Sequence, residues 1–198
     1  MIPLYDIKRS KKIPFITILL ILINIVLFFL LYKDLGDLIY DYGFIPGDFN
    51  FIALFTSMFL HVSLFHVIGN MWFLWVFGDS IEGKIGHLKF LFLYIFSGVC
   101  SSVFYFLFSE YDILTPVIGA SGAISGIVGA YLILFPKNKL RVFPCFTLLS
   151  IIYIVLWFLF QLFFAFIGNS ETAYLGHVGG FLGGILFVLI NKYAVKSK

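Results

Sequence analysis

Residues 119–135 read Gly119-Ala120-Ser121-Gly122-Ala123-Ile124-Ser125-Gly126-Ile127-Val128-Gly129-Ala130-Tyr131-Leu132-Ile133-Leu134-Phe135, and Pro136-Lys137 closes the run. The stretch carries no charge. Gly122 and Gly126 stand four residues apart, with Gly129 and Ala130 one turn on. That spacing lets helix backbones approach closely in lipid. The run is short for a helix that crosses a bilayer, which takes about 20 apolar residues. It reads instead as a helix that starts inside the membrane, at Ser121. Such a start is tolerated only where the N-terminus lines a polar, water-filled cavity.

The rest of the chain fits a membrane setting. Of 198 residues, 62% are hydrophobic and 12% charged, and mean hydropathy is +1.07. A soluble domain carries about a quarter charged residues, so a soluble globular fold is excluded. With 27 Phe and a net charge of only +3, disorder and nucleic-acid binding are excluded as well. Six apolar runs stand out, at about 13–32, 58–78, 88–108, 119–135, 144–167 and 173–191. They predict an all-α membrane protein of six spans in one domain over 1–198. Lys8, Arg9, Lys11 and Lys12 before the first run resemble the charged start of a signal peptide. The run is too long for one and no small-residue cleavage site follows, so it reads as a retained helix.

The loops orient the bundle. Twelve of the thirteen Lys and Arg fall on one side: the four above, Lys84 and Lys89, Lys137, Lys139 and Arg141, and Lys192, Lys196 and Lys198. Lys33 is the exception. The other side holds Asp34, Asp37, Asp41, Asp48, Glu110, Asp112 and Glu171. The positive-inside rule places both termini in the cytoplasm. Residues 33–57 form the single long loop, rich in Gly, Pro, Asp and aromatics, and read as lying partly in the interface. No internal repeat supports an inverted-repeat transporter. Cys100 and Cys145 make neither a disulfide framework nor a metal motif and read as small buried hydrophobes.

Polar residues inside spans are costly and therefore informative. The second run holds His61, His66 and Asn70, the fourth Ser121, the sixth His177. Counting about 1.5 Å of rise per residue from the cytoplasmic ends puts Ser121 and His177 at about 22 Å and His66 at about 20 Å. Three helices thus bring polar groups to one level, and Asn70 lies one turn deeper on the face of His66. Gly176, Gly180 and Gly184 in the sixth run match the small-residue spacing of the fourth. Close approach of these two helices carries Ser121 to His177. Asn24 and Gln161 are isolated and read as interhelical hydrogen bonders.

A serine nucleophile needs a base within hydrogen-bond reach, and His177 is placed to be one. A tetrahedral oxyanion needs donors. The Ser121 amide at a helix N-terminus and the side chains of His66 and Asn70 are available. No Asp or Glu lies beside His177 or inside a span, so a Ser-His dyad is expected rather than a triad. Other intramembrane proteolytic chemistries are excluded: there is no H-E-x-x-H zinc motif and no pair of span-interior aspartates. No intramembrane charges or carbonyl filter point to a channel.

With these residues in view, the sequence resembles the rhomboid family of intramembrane serine proteases. The resemblance rests on His61 and His66-Val67-Ile68-Gly69-Asn70, on Gly119-Ala120-Ser121-Gly122, and on Gly176-His177-Val178-Gly179-Gly180. Gly78, Glu82 and Gly86 resemble the family's cytoplasmic turn after the second helix, and Met1-Ile2-Pro3-Leu4 and Phe55-Thr56-Ser57-Met58-Phe59-Leu60-His61 resemble prokaryotic members. The resemblance implies Ser121 as nucleophile, His177 as base, and His66, Asn70 and the Ser121 amide as the oxyanion hole. His61, Gly119, Gly122 and Gly180 would be supporting residues. It implies six helices, no cofactor, no metal, and membrane-anchored substrates cut near the outer edge of a prokaryotic cell membrane, with small residues favoured at the cleavage position. An inactive relative that binds and escorts membrane proteins is the alternative, but such relatives lose the serine or histidine and both stand here.

Two positions depart from relatives. A Trp-Arg pair before the first histidine is replaced by Ile52-Ala53, and an aromatic four residues after the nucleophile is replaced by Ser125. What positions His177 is therefore open. His87 matches nothing in the pattern and reads as a solvated loop histidine. The Phe-rich fifth run (Phe158, Phe160, Phe163, Phe164, Phe166) lacks a small-residue seam. It is expected either to tilt and admit a substrate helix or simply to face lipid.

Overall fold

A computed structural model describes residues 2–108, 113–167 and 172–196. Glu110, Asp112, Glu171 and Lys198 lie outside the described residues. The chain runs β1 (Pro3–Asp6), α1 (Phe15–Leu31), α2 (Leu35–Tyr42), α3 (Ala53–Thr56), a 3-10 turn (Ser57–Phe59), α4 (Leu64–Ile85), α5 (His87–Phe108), α6 (Ser121–Leu134), β2 (Lys139–Val142), β3 (Phe146–Leu149), α7 (Ser150–Ile167) and α8 (Tyr174–Lys196). Helices α4, α5, α7 and α8 are long and apolar enough to cross a membrane, and α1 and α6 are shorter apolar helices. With 14 residues, α6 spans only about 21 Å, less than a hydrocarbon core of about 30 Å.

Three boundaries differ from the sequence reading. The second run becomes helical only at Leu64, because Ser63 caps it by accepting from the His66 amide at 3.2 Å. His61 therefore sits on the approach to α4 and not within it. The segment 33–57 is not a plain loop: it contains α2, with Leu35, Leu38 and Ile39 turned inward along one face, and then α3. The fifth run starts as a helix at Ser150, because residues 139–149 fold into a hairpin. β2 pairs antiparallel with β3 (Lys139 opposite Leu149, Val142 opposite Phe146), and β1 adds to the other edge of β2. Cys145 lies at the turn of this hairpin and is exposed, and Cys100 is half-buried, so the expectation of a buried Cys145 fails.

The glycine seam forms as its spacing predicts. A β-carbon at Gly180 would overlap the Gly122 carbonyl oxygen, and one at Gly184 the Gly126 carbonyl. Backbone therefore lies on backbone between α6 and α8. Helix α5 packs on both: Ser97 and Ser101 fill the space beside Gly126 and Gly122. Asn24 donates to the Leu20 carbonyl in its own helix at 2.8 Å, and its side chain also lies beside the Tyr94 hydroxyl of α5.

Buried acids pin the basic end of the bundle. Glu82 on α4 accepts from the Ile16 amide (2.8 Å), the Thr17 amide (2.7 Å) and the Thr17 hydroxyl (2.7 Å). It caps α1 from outside, where Pro14 supplies no side-chain cap. A carboxylate suits the positive end of a helix. His87 is not a free loop histidine: Gly86 turns the chain at φ +87°, α5 starts at His87, and its Nδ1 meets Glu82 Oε1. Asp6 on β1 is buried and accepts from Tyr131 Oη (2.6 Å), Ser80 Oγ (2.8 Å) and Asn138 Nδ2 (3.1 Å). It ties the first strand to α4, α6 and the turn before β2.

Candidate active site

Helix α6 begins at Ser121, preceded by Ala120, which gives no side-chain cap. The first amides of the helix are therefore unclaimed by any cap. The approach is fixed by backbone pairing. Phe44 and Val117 exchange hydrogen bonds (3.1 and 2.8 Å), and the Gly119 amide donates to the Ser57 carbonyl at 2.8 Å. Gly119 has φ +119°, a conformation that side chains resist. A β-carbon there would also lie 2.8 Å from His66 Nε2 and 3.6 Å from Asn70 Nδ2. The glycine thus lets both side chains of α4 reach the chain entering Ser121.

The seam between α6 and α8 then delivers the pair that equal depth predicts. His177 Nε2 lies 2.8 Å from Ser121 Oγ. On the other side of the ring, Nδ1 lies 2.8 Å from Gln161 Oε1 on α7. The Tyr174 ring meets His177 edge-on, with centroids 6.0 Å apart. Asn70 is buried and its amide nitrogen has no hydrogen-bond partner among the described residues. Such a donor is uncommon and calls for an explanation. His61 is buried behind His66, the two rings T-shaped at 5.0 Å.

The rhomboid domain, as a sequence family, matches residues 48–193. The chain belongs to the rhomboid family. It is 33% identical over 180 residues to rhomboid protease GluP of Bacillus subtilis, covering 86% of this chain and 34% of that protein. It is 31% identical over 154 residues to rhomboid protein 1, mitochondrial, of Saccharomyces cerevisiae, covering 74% of this chain and 44% of the relative. A third relative, presenilin-associated rhomboid-like protein A, mitochondrial, of Danio rerio, is 35% identical over 92 residues, or 46% of this chain and 24% of its own length. The chain thus spans less than half the length of each of these relatives. With its apolar helices, this rhomboid chain is an integral membrane protein.

The structure brings Ser121, His177, His66, Asn70 and Gly119 together. Gly122 and Gly180 belong to the seam beneath them, and His61 to the wall behind His66. The sequence predicts Gln161 only as an interhelical hydrogen bonder. It does bond across helices, but its partner is His177, and nothing in an isolated polar residue reveals that. Ser125 leaves the histidine alone: its hydroxyl bonds back to the Ser121 carbonyl at 2.7 Å, a common habit of helical serines.

Proposed function

We propose that this rhomboid chain is an intramembrane serine endopeptidase that cuts transmembrane segments with a Ser121–His177 dyad. The 2.8 Å contact between His177 Nε2 and Ser121 Oγ carries the reading. His177 accepts the Ser121 proton as Oγ attacks the scissile carbonyl. Negative charge then develops on the carbonyl oxygen beside the α6 N-terminus. In this reading the Ser121 amide, the Asn70 amide and His66 donate to it, which the approach of both α4 side chains to Gly119 and the absence of another Asn70 Nδ2 partner among the described residues support. The intermediate collapses, His177 returns the proton to the leaving amine, and water repeats the sequence on the acyl-enzyme.

The same reading has α1, α4, α5, α6, α7 and α8 as six spans of one domain, with the basic ends of the bundle cytoplasmic. Ser121 then lies below the opposite surface, and substrates are membrane proteins cut near that edge at small residues. The membrane is that of a prokaryotic cell, and no cofactor, metal or nucleic acid takes part. An escort protein without activity is disfavoured because both reacting groups are present and bonded.

The test is cleavage of a tagged single-span substrate by purified protein in lipid, with Ser121→Ala and His177→Ala alongside. Cleavage should vanish in each, and the double variant should be no worse than either single one, because such residues act as a unit. A Ser121→Ala protein that cuts at the wild-type rate overturns the proposal.

A further inference from the structure

His177 is held from both sides of its ring, and the two bonds are not independent. A neutral imidazole carries one proton, on one of its two nitrogens. Ser121 can give its proton to Nε2 only when Nε2 is bare, so the ring proton must sit on Nδ1. The group facing Nδ1 decides this. In the structure that group is Gln161 Oε1, at 2.8 Å. A carbonyl oxygen only accepts, so this bond requires Nδ1–H. Gln161 is 5% exposed, which keeps water from competing for the nitrogen.

The position of Gln161 matters as much as its chemistry. Ser121 and His177 sit on the two helices of the glycine seam, whereas Gln161 comes from α7. The remaining buried side chains of α7 are Ser150, Tyr153 and Ile154, all within its first five residues. Beyond that foot, Gln161 is the polar contact between α7 and the site, supported by Phe158 stacked on Phe181 at 4.3 Å and Phe164 on Tyr174 at 5.4 Å.

We infer that Gln161 is a positioning residue that holds His177 as the Nδ1–H tautomer, and that the base is competent only while α7 is seated on α8. This rests on the Ser121–His177 reading above and adds a condition to it. A helix movement that admits a substrate would release the base, and catalysis would wait for α7 to return.

Variants at Gln161 separate acceptance from bulk. A carboxylate in place of the amide would still accept from Nδ1–H, so Gln161→Glu should keep the tautomer. Gln161→Met keeps the length with only a weakly accepting sulfur, and Gln161→Leu keeps the burial with no acceptor. Misassigning the tautomer costs about 10⁴ in kcat in a well-studied serine protease. Removing the preference, without reversing it, should cost less, about ten- to a hundredfold.

The experiment pairs nitrogen NMR of ¹⁵N-histidine-labelled protein in nanodiscs with kinetics on a small soluble ester. The wild type should show His177 protonated at Nδ1, and Gln161→Glu should match it with kcat within a few-fold. Gln161→Met and Gln161→Leu should show a mixture of tautomers, with kcat down about ten- to a hundredfold and KM unchanged. Phe158→Ala, which leaves Gln161 intact but loosens α7, should show a mixture too. A wild-type ring protonated at Nε2 overturns the inference without any variant having to fold. So does a Gln161→Met protein with wild-type tautomer and kcat, provided Ser121→Ala is inactive. If Ser121→Ala remains active, the dyad itself fails.

Discussion

Two parts of this bundle are built on opposite principles. Along the α6–α8 seam, Gly122, Gly126, Gly180 and Gly184 put backbone against backbone. Helix α7 holds no glycine and offers lipid a wall of rings and branched chains, with Phe160 51%, Phe163 59% and Phe166 86% exposed. In lipid, burying apolar surface gains little, because the acyl chains are as apolar as the side chains. Close packing and hydrogen bonds decide which helices stay together. The seam is therefore the rigid half. α7 is fixed at its foot, where the Ser150 amide donates to the Asn138 carbonyl at 2.8 Å and β3 runs directly into the helix, and more lightly above. Ser121 and His177, the proposed nucleophile and base, share the rigid half, and Gln161, proposed to orient that base, rides on the other.

The sharpest way to break this contrast is to spoil the seam. Gly180→Val would drive its side chain into the Gly122 carbonyl, where backbone has no room to yield. Overpacking usually costs about 1–3 kcal/mol, occasionally more, and a backbone clash belongs at the upper end. For a chain of this size, 1 kcal/mol moves the midpoint by about 2–4 °C. Thermal unfolding in detergent should show a fall of about 10 °C or more, or no folded protein. Leu159→Ala, on a lipid-facing position of α7 that is 54% exposed, should move it little. Equal shifts would mean the halves do not differ.

The rigid half reaches the basic end of the bundle through Glu82. Glu82→Ala removes the carboxylate that accepts from Ile16 and Thr17 and leaves buried donors without a partner. Hydrogen bonds to charged groups contribute about 1.5–3 kcal/mol, so a drop of about 3–12 °C is expected in the same unfolding measurement. Glu82→Gln should recover part of it, since its carbonyl accepts one of those bonds. A midpoint unchanged by Glu82→Ala would show that α1 needs no cap from α4.

Asn70 and His66 test whether the rigid half also carries the oxyanion site. Losing one donor costs about 2.7–4 kcal/mol in a well-studied protease, and a site with several donors should lose less for each. Asn70→Ala should lower kcat about ten- to a hundredfold, and His66→Ala at least as much. Unfolding midpoints should stay near wild type, because among the described residues the Asn70 amide nitrogen has no partner to lose. If turnover is unchanged in folded protein, the two side chains are structural.

What can be read from the sequence follows the same division. Helical rise is uniform, so counting from the charged ends places Ser121, His66 and His177 at one level, and glycine spacing names the helices that touch. Those are regular, local signals. The features that escape depend on partners far along the chain. Residues 144–149 are apolar enough to pass for the start of a span, yet they turn a hairpin whose Phe146–Leu149 pairs with β2, and the other edge of β2 is taken by residues 3–6. Asp6 looks like a surface acid until Tyr131 and Ser80 are brought to it. Gln161 is a lone polar residue in an apolar helix, and such a residue looks the same whether it braces a neighbour or orients a base.

The smallest expected effects come from α7, and they separate its two faces. Phe163 and Phe166 point to lipid, so Phe163→Val and Phe166→Val should leave every rate within about twofold, as surface changes usually do. Phe158 and Phe164 stack inward on Phe181 and Tyr174, so truncating them should free the upper part of the helix. Two consequences then oppose each other. A transmembrane substrate enters more readily, a gating gain of the kind seen in enzymes limited by lid opening. The base is less often held by Gln161, which slows chemistry for every substrate. A small ester that enters from water feels only the second. Phe158→Ala should therefore lower ester turnover a few-fold, while the ratio of transmembrane to ester cleavage rises. A disulfide holding α7 on α8 should do the reverse, suppressing the transmembrane substrate and sparing the ester. If truncation and tether each change both substrates by the same factor, α7 is not the route of entry. The seam and its Ser121–His177 pair would then have to admit substrate from another side.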